Sequence, residues 1–158
     1  MRNVVLAVAT STMVALGASA QTRPDFTGVW QLDASRGDAS AYNEAPGPVS
    51  LSITQSDAEL QIATTTSRGT TEVTYAFPTA DGPRVQGLPL ARWQGDALLT
   101  EAVRNIRGQS VTVQQTRRLG SDGREMIVES VVNVQHGYSV AGAKTYGSGR
   151  DVFVRALR

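Results

Sequence analysis

Few residues in this chain are of types that do chemistry, and their spacing gives them little to do together. His136 is the single histidine, and there is no cysteine. A metal centre of imidazole and thiolate ligands therefore has no ligand set. A calcium loop needs an Asp-x-Asp-x-Asp-Gly run, which does not occur. His136 stands beside Gly137 in a stretch that reads as an exposed loop. Gly147-Ser148-Gly149 lacks the strand-to-helix setting of a nucleophile elbow and reads as a turn. Asp122, Glu125 and Glu129 lie close in sequence, but Glu125 and Glu129 share strand parity only with Ile127 and are expected to face solvent. A paired-carboxylate hydrolase has nothing specific behind it. The expectation is a protein with no catalytic set, no metal and no cofactor.

Two kinds of residue remain. Arg117 and Arg118 point to opposite faces of a predicted strand. Solvated surface is the plain reading of such a pair, whereas an inward Arg117 would hold an acidic head group. The two tryptophans, Trp30 and Trp93, are the other candidates. A strand Trp beside a Gly is a packing anchor, which assigns Trp30 a structural place. Trp93 sits one residue from a turn, where an aromatic side chain packs at a rim or walls a pocket.

These residues need elements to position them, and the first stretch of the chain is not one. Arg2, an apolar run from Val4 to Leu16 and Ala18-Ser19-Ala20 form the three regions of a cleaved secretion signal over residues 1–20. The run is too short and too interrupted by Thr10, Ser11 and Thr12 for a membrane span. With no cysteine after the cleavage site, no lipid anchor is expected. Residues 21–158 then form one domain, exported to the periplasm or secreted. Without disulfides its stability must come from packing and hydrogen bonds. Arg2 aside, basic and acidic residues balance, so nucleic acid is not the expected partner.

Behind the signal the pattern is strand after strand. Gly28 to Leu32 places Trp30 and Leu32 on one face. Residues 33–47 are rich in turn formers and read as a long loop. Val49, Leu51 and Ile53 alternate with Ser50, Ser52 and Thr54, a period of two. Leu60, Ile62 and Thr64 follow, then Val73, Tyr75 and Phe77. Pro83 and Pro89 predict an irregular segment or an edge strand. Ala91 to Trp93 pairs with Ala97 to Val103 across Gln94-Gly95-Asp96, and the second of these carries apolar residues on both faces. Val111 to Leu119 leads through Asp122-Gly123 into Met126 to Val134. Residues 135–149 are glycine-rich, and Arg150 to Leu157 is the last strand. About nine short strands joined by hairpin turns predict an up-and-down antiparallel β-barrel of 8–10 strands. Closure removes the exposed edges and brings the first strand beside the last.

At this point the residues resemble a known family. Gly28-Val29-Trp30 fits the Gly-x-Trp signature of the first lipocalin strand. Phe26-Thr27-Gly28-Val29-Trp30-Gln31-Leu32, Leu51-Ser52-Ile53-Thr54-Gln55, Ala91-Arg92-Trp93-Gln94-Gly95-Asp96-Ala97-Leu98 and Leu119-Gly120-Ser121-Asp122-Gly123-Arg124 follow in the order found in exported bacterial lipocalin-like (calycin-type) barrels of unknown function. The resemblance covers residues 25 to about 134. It departs at Gly120, which stands as an extra residue before Ser121, at 135–149, which match nothing, and in the missing C-terminal helix of classical lipocalins. It implies a barrel closed at one end by Trp30, with an arginine near the end of the last strand packed across the ring. Arg155 is the matching position and Arg150 the second choice. Gly28, Trp30 and Arg155 are thus the expected structural set.

The function expected on these grounds is non-covalent binding of a small apolar or amphipathic molecule, with Trp30, Tyr75, Phe77, Trp93, Leu99 and Arg117 lining the interior. The alternative is a structural or interaction domain of the cell envelope whose core is filled by its own side chains. A hydrolase comes last.

Overall fold

The computed structural model describes residues 23–37, 47–78, 89–106, 109–135 and 146–156. The secretion signal expected over 1–20 and His136 lie outside the described residues. Nine strands are found among the described residues: β1 (Gly28–Leu32), β2 (Ser50–Gln55), β3 (Glu59–Thr66), β4 (Gly69–Ala76), β5 (Leu90–Gln94), β6 (Ala97–Ile106), β7 (Gln109–Leu119), β8 (Glu125–Gln135) and β9 (Tyr146–Arg155). They form one closed barrel in sequence order. Among the described residues, no helix is long and apolar enough to cross a membrane.

The sequence dictates the turns. Ser56 accepts the backbone N–H groups of Ala58 (3.3 Å) and Glu59 (3.1 Å) on its hydroxyl, which closes the β2–β3 hairpin. Asp122 accepts the Arg124 N–H at 2.9 Å, and Gly123 adopts φ 67° to complete the β7–β8 turn. Left-handed backbone of that kind is cheap only for glycine.

An odd number of strands constrains the ring. Each antiparallel joint reverses the chain, so a closed ring must contain an even number of them, and nine joints need at least one parallel one. The expected all-antiparallel meander therefore gives way at one place. β4 and β5 run parallel and meet only at Ala76 and Leu90. The first strand does close on the last: β1 pairs antiparallel with β9, with Trp30 opposite Arg155 and Leu32 opposite Phe153.

Alternation then sorts the side chains. Trp30, Leu51, Ile53, Leu60, Ile62, Tyr75, Leu98, Met126, Val128 and Phe153 share the inner face and form the core with Phe26 and Ala91. This core fills the end of the barrel that carries the 56–59, 95–96 and 120–123 turns. Burial is complete at that end and uneven beyond it, with Val111 on the inner face of β7 again buried. Trp30, Leu60, Met126 and Phe153 are fully buried. Thr64, Val73, Val113 and Val132 are half-buried, and Thr71 is exposed. Among the described residues, one end is sealed and the inner face towards the other is only partly buried.

Candidate functional site

The sealed end is built around Trp30. Its indole N–H donates to the Phe26 carbonyl at 2.9 Å. The Arg155 guanidinium lies over the ring, 4.2 Å from its centroid. Arg155 also donates to the carbonyls of Thr27 (2.6 Å), Gly123 (3.1 Å) and Asp25 (3.3 Å). One side chain thereby ties the segment before β1 to the β7–β8 turn. Gly28 makes room for it: a Cβ at that position would lie 2.7 Å from Arg155 Nη1. Arg155, rather than Arg150, occupies the expected place.

Aromatic residues extend this floor. Trp93 packs against Phe26 (centroids 6.1 Å apart) and against Phe77 (6.0 Å, planes 7° apart). The Arg23 guanidinium lies 5.6 Å from the Trp93 centroid. Trp93 and Phe77 are partly buried against the core and Tyr75 lies within it. Leu99 does not join them. It follows Leu98, which is fully buried on the inner face, so Leu99 points outward, where it is paired with Arg92 and Thr116. A stretch apolar on both faces cannot announce which leucine faces in, and the cross-strand row of Trp93, Leu98 and Arg117 decides it.

Above the floor the inner face turns polar. Arg117 is 2% exposed. Its guanidinium donates to Thr100 Oγ1 at 2.7 Å and to Gln115 Oε1. The Gln115 amide in turn donates to Ser130 Oγ at 3.1 Å. Asp151 is fully buried on β9 and shares a row with Val128 and Arg117. β6, β7, β8 and β9 thus contribute Thr100, Gln115, Arg117, Ser130 and Asp151 to one stretch of the interior. Only Arg117 was singled out from the sequence. Parity held the signal for the others. Gln115 lies two residues before Arg117, and Ser130 shares its face with Met126 and Val128. Asp151 follows from Arg155, four residues on along the same face.

Outside, Arg36 bonds Asp33 and Glu125, each at 2.7 Å. The pair holds the segment after β1 against β8. Gly37 brings that segment to β9, where a Cβ would lie 3.1 Å from the Arg150 carbonyl and from Asp151 Oδ1. Hydrogen bonds from Ser35 and Arg36 hold the Asp33 carboxyl below its ordinary value of 3.8. Among the described residues, no group of three His, Cys, Asp or Glu side chains is placed to hold a metal ion.

No family model matches the chain, and no curated protein matches it. Among solved structures, it is similar to a point mutant of the fluorescent protein UnaG. The identity is 15% over 84% of this chain and 97% of that one, with a TM-score of 0.47. It is also similar to a fatty acid transporter, REP1-NXSQ, at 11% identity over 84% of this chain and 96% of that one, with a TM-score of 0.43.

Proposed function

We propose that this chain is an exported lipocalin-like barrel that holds a small amphipathic molecule without a covalent bond. The observation that carries the reading is the buried polar stretch around Arg117, set beside a sealed apolar floor, with the inner face beyond it only partly buried among the described residues. Polar groups cost free energy to bury unless they find partners, so a polar stretch inside the barrel stands apart from the apolar floor. The Arg117 guanidinium, buried in the same stretch as the Asp151 carboxyl, offers an anionic head group a charge-assisted bond in exchange for its present partners, and the neighbouring Thr100, Gln115 and Ser130 offer further hydrogen bonds. The apolar part of the ligand would lie against Ile62, Tyr75 and Val128. Export rests on the three signal-like regions of residues 1–20 and places the protein in the periplasm or medium.

The test is binding of dansyl-undecanoate compared with its alcohol analogue, in wild type and Arg117→Met. The carboxylate should bind wild type more tightly. Arg117→Met should weaken it by roughly 10–100-fold, as expected for a lost charge-assisted hydrogen bond, and leave the alcohol within a few-fold. No binding of either probe refutes the proposal and favours a structural domain with a filled core. The packing of Phe26, Phe77 and Trp93 at the floor is the observation on that side.

A further inference from the structure

Arg117 shares the polar stretch with a buried acid. Asp151 on β9 lies on the same row and the same inner face, with Val128 of β8 between them. The two side chains are 2% and 0% exposed. Among the described side chains they are the one cation and the one anion on the inner face above the Trp30 floor. The acid is also covered from the side of β1. The segment after β1 passes so close that a Cβ on Gly37 would lie 3.1 Å from Asp151 Oδ1. Protein rather than solvent therefore meets the carboxyl there.

An anion drawn to Arg117 would arrive in a stretch that already holds this carboxyl. Two anions that share one cation away from water repel, and burial disfavours each charge further. When two carboxylates share a site, one of them keeps a proton. A proton on Asp151 removes the repulsion and adds an O–H donor to the stretch. The other charged groups near Asp151 are committed elsewhere. Arg150, the residue before it, is exposed on the outer face opposite Glu129. In the covering segment Asp33 and Arg36 bond one another, and Arg36 bonds Glu125 outside the barrel. Arg155, four residues on along the inner face, lies over Trp30 and donates to the carbonyls of Thr27, Gly123 and Asp25. Among the described side chains, Arg117 is the cation that Asp151 and a bound head group would share.

We infer that the interior takes up an anionic head group together with one proton, which Asp151 carries. The inference rests on the binding function proposed above and adds its regulation. Affinity for an anion rises as pH falls, whereas a neutral ligand of the same chain length shows no such dependence. One linked proton changes Kd by about tenfold per pH unit, over the range where Asp151 is ionised in the free protein and protonated in the complex.

Decane-1-sulfonate is the probe, because it stays ionised and any proton taken up must go to the protein. Isothermal titration calorimetry at neutral pH in phosphate, HEPES and Tris reads the proton count as the slope of observed heat against buffer ionisation enthalpy. Wild type should take up roughly 0.5–1 proton per sulfonate, and Kd should weaken about five- to tenfold per pH unit above neutrality. With 1-decanol the slope should be near zero. Asp151→Asn keeps the shape of the side chain without its charge, so it should bind the sulfonate with no uptake and no pH dependence. His136 is the single histidine and the other side chain that titrates near neutrality; His136→Gln should keep both. Sulfonate bound without proton uptake, or equal uptake with 1-decanol, overturns the linkage and leaves the binding function standing. Uptake that survives Asp151→Asn, or disappears in His136→Gln, overturns the assignment to Asp151. The wild-type and His136→Gln slopes decide the matter even where Asp151→Asn does not fold. Failure of wild type to bind either probe overturns the linkage and the binding function together.

Discussion

Replacing Arg155 by alanine should unfasten the sealed end, and the structure sets the size of the loss. The guanidinium over Trp30 contributes ~1–2 kcal/mol at a partly desolvated ring. The donation to Thr27 O at 2.6 Å is part-buried and charge-assisted, worth about 1.5 kcal/mol, and the longer one to Gly123 O about 1 kcal/mol. The bond to Asp25 O is exposed and adds little. The sum is ~3.5–4.5 kcal/mol, or a fall in Tm of roughly 10–15 °C for a domain of this size. Thermal unfolding followed by circular dichroism measures it, and the emission maximum of Trp30 in a Trp93→Phe background should move to the red as the ring is uncovered. Arg155→Lys should recover less than half, because an ammonium cannot serve carbonyls on both sides while lying flat on the ring. Gly28→Ala attacks the same contact from the other side. Its Cβ would displace the guanidinium, and its φ of 144° adds strain. The two substitutions should be strongly non-additive, since the second removes what the first has already lost. A Tm for Arg155→Ala within 2 or so degrees of wild type (about half a kcal/mol), with Trp30 emission unmoved, would refute the latch.

Three further outcomes follow from the same geometry. Leu98→Ala should cost ~2–4 kcal/mol as a core truncation, whereas Leu99→Ser on the outer face should cost less than about 1 kcal/mol; urea midpoints distinguish them, and a larger cost at Leu99 than at Leu98 would show the β6 parity to be reversed. Asp25 is held below its ordinary value of 3.8, first by the Thr27 hydroxyl and then by the Thr27 N–H, with burial opposing and Arg155 assisting. A carboxyl depressed in the folded state stabilises above 3.8, and that contribution disappears as pH falls through the folded value. Asp25→Asn should therefore be less stable than wild type at neutral pH and approach it in acid, and parallel curves of urea midpoint against pH would contradict the assignment. In Ser130→Val the Gln115 amide loses its acceptor, so the carboxylate probe should bind several-fold more weakly while the alcohol analogue reports whether the pocket itself has changed shape.

What the residues revealed beforehand depended on how many constraints met at each position. Trp30 and Arg155 were legible because a fixed motif and barrel closure both pointed to the same pair, and they face one another across β1 and β9. Leu51 and Ile53 were legible because serine and threonine alternate with them. Leu98 and Leu99 were not, since two adjacent leucines satisfy either parity and only the partner strands break the tie. The polar stretch was hidden for a different reason. Thr100, Gln115 and Ser130 look like ordinary solvent-facing strand residues until Arg117, on the same face, is known to point inward. Asp151 shows how far that could have been taken: once Arg155 is assigned to the Trp30 face, a period of two carries Phe153 and Asp151 inside with it. The β4–β5 joint was also within reach. Nine strands in a closed ring require a parallel neighbour pair, and the stretch holding Pro83 and Pro89 was the place least suited to an ordinary hairpin. Proline cannot donate to a ladder, so pairing should be weakest there, and among the described residues β4 and β5 pair only at Ala76 and Leu90.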